Sequence, residues 1–315
     1  MADSTRGLLL ATVCALMWGV LAIALKVALN YVDSYTIVWW RFTASFIFLV
    51  IWFLIKRRQS LAILRRPPWM LLLAGFLLGI NFIGFMQGVH YAGPAVSQVI
   101  IQAGAITLAL VGFLFFRESL TRLRAFGFLL ALAGFIFFYY QQLTGVSYGS
   151  KALQTGVIWT LVGAWSWTGY AILNKLLVKK IEPAQVNLIL YGLPMLMFLP
   201  FANFHALFAP HSLGIWLLLI FLAVNTIVAY GALSMALKYT EANRISIIIT
   251  LNPIITFILL ELLLWIDVHW FDSAPMAPLA YVGAAMVLAG AVLAIGVWKR
   301  NGGVSLSSRQ NAGQQ

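Results

Sequence analysis

The chain has 315 residues, of which 63% are hydrophobic and only 9% charged, with a formal net charge of +12. An ordinary soluble domain is roughly one quarter charged, so this composition excludes a soluble enzyme and points to an all-α integral membrane protein whose first partner is the lipid bilayer. The positive excess does not mark a nucleic-acid binder, because its lysines and arginines fall in alternate loops rather than on one surface.

A bilayer core takes about 20 apolar residues per helix, and ten such stretches can be laid out along the chain. They are Gly7–Leu29, Ser34–Ile55, Pro68–Tyr91, Pro94–Phe116, Leu123–Tyr139, Leu153–Val178, Pro183–Phe204, Ser212–Leu237, Asn243–Trp265 and Pro275–Trp298. Outside them stand short loops near Thr144–Lys151 and Asp267–Ala274, and a polar tail, Asn301–Gln315, that reads as disordered. The basic residues of the loops, from Arg6 and the Lys56–Arg58 run to Lys299 and Arg300, fall on one side, and Lys151 on the other. By the positive-inside rule that side is cytoplasmic, so both termini are expected inside.

A single cysteine, Cys14, excludes an intramolecular disulfide and a cysteine-based metal site. The first apolar segment exceeds a signal-peptide core and is read as retained. No Asn-x-Ser/Thr sequon occurs, which fits a bacterial inner membrane.

The chain repeats itself. A shift from Val13 to Val162 carries Ala15, Trp18, Ala22, Ile23 and Lys26 onto Ala164, Trp167, Ala171, Ile172 and Lys175. The same shift carries Ser97, Ile106 and Thr107 onto Ser246, Ile255 and Thr256, and Glu118 onto Asp267. After an insertion in the second copy, Gly127 and Gly134 pair with Gly283 and Gly290. Residues 1–143 and 153–300 are thus expected to be two five-helix repeats, joined by a loop at 144–152 and followed by the tail at 301–315. Five is odd, so the second half enters the membrane from the opposite face, and such inverted halves are the signature of a secondary transporter working by alternating access.

The strings ALMWGVLAIALK (15–26), VWWRF (38–42), FFRESLTRLRAFGFLLALAGF (115–135) and LNPIITFILL (251–260), with the five-plus-five duplication, resemble the EamA-type branch of the drug/metabolite transporter superfamily. The resemblance covers Gly7 to Trp298. It implies helices around a central cavity, with the last helix of each half at the periphery, and a small-molecule cargo such as amino acids or related amphipathic solutes, more often exported than taken up. Nucleosides, choline-like cations and lipid fragments stay open as cargo. An intramembrane enzyme, or a sensor or assembly protein, is the alternative of a different class, but no His-Glu-x-x-His and no Gly-x-Ser-x-Gly is present. Monomer and homodimer both stay open.

Candidate substrate-binding residues follow from polarity inside the spans. Trp18 and Trp167 lie on the stripes that both halves retain, and read equally as cavity walls that stack on cargo or as packing residues. Asn81, Gln98, Gln102, Tyr170 and Tyr230 would add amides, hydroxyls and aromatic faces. Ser246 and Thr250 share a helical face with Pro253, whose missing N–H makes a hinge at that point; the simpler account has the two hydroxyls bonded within their own helix. Three charged residues are candidates for cargo or proton coupling. Lys26, near a helix end, is read first as snorkelling to the headgroups. Arg41, two turns into its helix, is read as facing the cavity and pairing with an anionic group, either of the cargo or of Asp33. Glu261 is read first as an interfacial carboxylate hydrogen-bonded to a neighbour such as Trp270 or Tyr91, ahead of a proton-coupling group. No cofactor is expected beyond possible coupling to protons.

Overall fold

The computed structural model describes residues 2–116, 121–144, 150–240, 242–268, 270 and 278–295. Glu118, most of the 144–152 loop, and the tail lie outside the described residues. Every regular element among the described residues is helical: α1 (Ala2–Ala28), α2 (Ser34–Lys56), α3 (Trp69–Ile100), α4 (Ala103–Phe116), α5 (Arg122–Thr144), α6 (Ser150–Leu177), α7 (Pro183–Phe198), α8 (Phe204–Leu207), α9 (Leu213–Tyr239), α10 (Ala242–Thr250), α11 (Asn252–Trp265) and α12 (Pro278–Ile295), with two short 3-10 turns at Arg58–Leu64 and Leu199–Phe201. Eight of the described spans are long and apolar enough to cross a membrane, α10 and α11 counting together. The expected third and fourth spans meet inside α3, where Gly93 adopts φ 82° and ψ 170° ahead of Pro94. Only glycine takes that backbone without strain, and the proline supplies no N–H to carry the ladder across.

Local chemistry sets several boundaries. Asp33 caps α2, its carboxylate accepting from the Tyr35 and Thr36 amides at 3.1 Å and from the Thr36 hydroxyl at 2.6 Å. At the far end of α11, Asp267 sits at φ 58°, while its amide donates to Leu264 O and that of Val268 to Leu263 O. That is a Schellman closure with aspartate in the left-handed position, which short polar side chains tolerate.

The helices pair between the two halves of the sequence: α1 with α9, α3 with α6, α2 with α7 and α5 with α12. The α5–α12 crossing is made by the glycines of the repeat. A Cβ on Gly134 would lie 2.7 Å from Val287 N, and one on Gly283 2.7 Å from Phe138 N. Close backbone approach through small residues is the usual way membrane helices associate, because lipid tails offer no hydrophobic drive between helices.

Contacts at the helix ends give direction. Gly7 lies against Thr240 and Arg57 pairs with Glu182, whereas Lys26 bonds His90 and Thr36 bonds Asn203. Gly156, early in α6, lies against Ala92, beside the His90 end, and Lys175, late in α6, bonds Leu237 and Thr240 at the opposite end. The equivalent helices α1 and α6 therefore run in opposite directions.

Candidate functional site

The expected fourth and ninth spans are each interrupted in their first half by a tight turn, Gln102 N bonding Val99 O and Leu251 N bonding Ile248 O. α3 ends at Ile100 and α4 begins at Ala103, and α10 ends at Thr250 and α11 begins at Asn252. The two breaks occupy equivalent places in the repeat, and they touch: Gln102 Nε2 donates to Asn252 Oδ1 at 3.0 Å and to Gln98 O at 3.2 Å. At the first turn the Gln98 carbonyl takes the Gln102 side-chain amide in place of a backbone donor, and amide side chains, which both donate and accept, suit a place away from water.

A cavity with about 620 Å³ of empty space, counting its open part, lies beside these breaks. Its polar wall comes from Asn81 and Gln98 of α3, Gln102, and Asn252 of α11. Its aromatic wall comes from Trp18 of α1, Phe82 and Phe85 of α3, Trp167 of α6 and Tyr230 of α9. The rings touch one another: Trp18 stands 5.3 Å from Tyr230 and, edge to face, 6.4 Å from Trp167, and Phe82 stands 5.1 Å from Tyr230. Such tilted and T-shaped pairs hold ring orientation better than bulk packing alone. Among the described residues, none of α5 or α12 is in the lining.

Hydrogen bonds fix the walls. Gln98 Nε2 donates to the backbone carbonyl of Trp18 at 2.8 Å, Asn81 Nδ2 donates to Gly163 O at 3.0 Å, and the Tyr230 hydroxyl donates to Asn81 Oδ1 at 3.3 Å. The helix crossings are tied in the same way, by Thr168 donating to Gly104 O at 2.8 Å and Thr256 to Gly19 O at 2.6 Å. The indole N–H of Trp167 is buried and finds no hydrogen-bond partner among the described residues.

Arg41 supplies the cavity's charge. It is 2% exposed. Its Nε donates to Thr226 Oγ1 at 2.9 Å, and its guanidinium carbon stands 4.5 Å from the centre of the Phe82 ring. Of the two partners open to Arg41, Asp33 is spent on the α2 cap and on Thr36 and does not pair with it. The salt bridge found among the described residues is Arg57–Glu182, at the surface.

The remaining candidates are not among the residues that line the cavity. Tyr170, fully buried, takes a hydrogen bond from Asn174 at 2.9 Å, and Asn174 with Ser234, Asn187 and the Tyr230 carbonyl forms a polar chain joining α6, α7 and α9. Thr250 Oγ1 donates to Ser246 O at 2.8 Å, the intrahelical bond of the simpler account. Ser246 is 5% exposed and belongs to the same short helix. Lys26 Nζ donates to His90 O at 3.1 Å where α3 breaks, and Lys175 Nζ donates to Leu237 and Thr240 carbonyls at 2.9 and 2.7 Å where α9 ends. The repeated lysines thus cap helix C-termini, where a cation meets the negative end of the dipole. Glu261 is exposed and accepts from the Tyr281 hydroxyl of α12, not from Trp270 or Tyr91. Pro253 is buried at the first turn of α11, where its lost N–H costs least.

Residue-by-residue reading missed Phe82, Phe85 and Thr226. One phenylalanine among 22 carries no signal of its own. Thr226 did carry one, since Thr226, Tyr230 and Ser234 recur every fourth residue along one face of α9.

A family model described as the EamA-like transporter family matches the chain twice, over residues 5–140 and 154–296. An uncharacterized inner membrane transporter of Escherichia coli strain K12, YhbE, is 34% identical over 294 residues, covering 91% of this chain and 90% of its own. An uncharacterized transporter of Haemophilus influenzae is 30% identical over 293 residues, covering 91% and 94%. A solved crystal structure superposes with a TM-score of 0.65 at 17% identity, over 92% of this chain and 96% of its own, a likeness of fold alone.

Proposed function

The chain belongs to the EamA-like transporter family, within the drug/metabolite transporter superfamily, and from that premise we propose that it carries small amphipathic organic metabolites of the amino-acid kind across the bacterial inner membrane by alternating access. Ten spans in two inverted five-helix halves, with both termini cytoplasmic, form the frame of this reading. The opposite directions of α1 and α6 support the inversion, and the double family match supports the two halves. The placement of Arg57, Lys175 and the Thr240 end of α9 together supports a common basic, cytoplasmic face.

The observation that carries the reading is the meeting of the two broken helices at Gln102 and Asn252 beside a cavity walled by both halves. Broken helices at a repeat interface are where carriers of this architecture place their cargo, and a break gives each half a joint about which to bend. Export is the proposed direction, following the family resemblance.

Reconstitution tests it. Liposomes holding the purified protein, loaded with a labelled amino-acid mixture, are expected to exchange label with external unlabelled mixture faster than protein-free liposomes. Equal rates with and without protein, for a chain that remains folded, would refute the reading. Inside-out membrane vesicles decide direction, since an exporter accumulates its cargo there.

A further inference from the structure

Resting on the transport reading, we propose that Arg41 is the anchor for a carboxylate on the cargo, so that the protein carries amphipathic monocarboxylates and does not require an ammonium group on them. Arg41 is 2% exposed and lines the cavity. One edge of its guanidinium is committed to Thr226 and one face to the Phe82 ring. Its two terminal nitrogens donate no hydrogen bond to the described residues, and they form the fork that grips a carboxylate through two parallel bonds.

Charge balance points to the same class. A lone arginine within a membrane-spanning helix is costly, and its hydrogen bond to Thr226 and its contact with the Phe82 ring hold the side chain in place without neutralising its charge. No carboxylate of the described residues faces the cavity, whose polar wall is built of amides. A carboxylate entering beside Arg41 therefore pairs the charge there, whereas a cation such as a quaternary amine meets repulsion and no counter-anion among the described residues. The aromatic wall, Trp18, Trp167 and Tyr230 above all, then receives an apolar or aromatic body. With no anion to read it, an ammonium group on that body is tolerated, not demanded.

The closing experiment uses matched probes on the purified full-length protein: benzoate, its neutral isostere benzamide, and the cation benzylamine. Benzoate is expected to raise the thermal midpoint in a saturable way at millimolar concentration, because a ligand of the folded state stabilises it; benzamide and benzylamine are expected to leave it unchanged. Arg41→Gln is expected to weaken benzoate binding at least about tenfold, and Thr226→Val, which releases Nε, to weaken it less. If Arg41→Gln does not fold, the wild-type comparison of benzoate with benzamide decides alone. No benzoate shift, an equal benzamide shift, or undiminished binding in folded Arg41→Gln overturns the inference. Transport is scored separately: exchange of amines or neutral solutes with acids excluded overturns this inference and leaves transport standing. Absence of any exchange alongside benzoate binding fails the transport reading and not the anchor.

Discussion

Gln102 and Asn252, 150 residues apart, meet through a 3.0 Å hydrogen bond at the points where α4 and α11 begin. Gln102 stands at the break between α3 and α4 and Asn252 at the break between α10 and α11, so the bond joins the two breaks. The amide of Gln102 also reaches back to Gln98 O, tying the break to the helix before it.

Because the bond bridges the two halves, its loss should be felt as a coupling. Gln102→Ala and Asn252→Ala are each expected to lower stability by about 0.5–1.5 kcal/mol, and the double variant by less than the sum. Thermal melts of the four proteins check this, and strict additivity would show that the bond carries nothing of its own.

Pro253 is the second residue of α11, after Asn252, and Leu251 N closes the preceding turn onto Ile248 O at 3.2 Å. Pro253→Ala restores an N–H and removes the bias against helix at the preceding residue. The expected result is a straighter, stiffer α10–α11 with slower turnover and nearly unchanged binding. Exchange rates in liposomes compared with ligand-induced melting shifts separate the two, and unchanged turnover would remove the hinge role.

Glu261 faces outward from α11 and bonds Tyr281 on α12, not the cavity. Glu261→Gln is expected to leave the response of transport to an imposed pH gradient unchanged, with a stability loss of no more than about 1 kcal/mol. Abolition of that response by Glu261→Gln would instead assign it the coupling role.

At the α5–α12 crossing, a side chain on Gly283 has no room beside Phe138. Gly283→Ile is expected to destabilise the protein by about 1–3 kcal/mol through overpacking, with the cavity spared because neither helix lines it. A melting curve together with residual benzoate binding in the folded fraction checks both halves of that statement.

Much of the fold is written in the order of the residues. Length, apolar runs and the Trp18–Trp167 and Lys26–Lys175 pairs are enough to expect membrane helices in duplicated halves, because a bilayer admits few solutions to backbone hydrogen bonding. Tyr-Ala-Gly-Pro at 91–94 marks the break within α3, since Gly93 and Pro94 act locally. Trp18, Arg41, Asn81, Gln98, Gln102, Trp167 and Tyr230 were legible as polar or aromatic residues in unfavourable surroundings, and all line one cavity.

What only the tertiary structure decided is which partner each polar group takes. Asp33 was the nearest acid in sequence to Arg41, but the α2 N-terminus claims it, and Arg41 turns instead to Thr226 and Phe82, 185 and 41 residues away along the chain. Lys26 and Glu261 looked alike as charges in apolar helices; packing sends one to a helix end and the other outward. Sequence determines where polar groups must be satisfied, because burying them unpaired is costly whatever surrounds them. It does not say by whom, because hydrogen bonds are short-ranged and the contacts that place one helix against another join residues far apart in the chain.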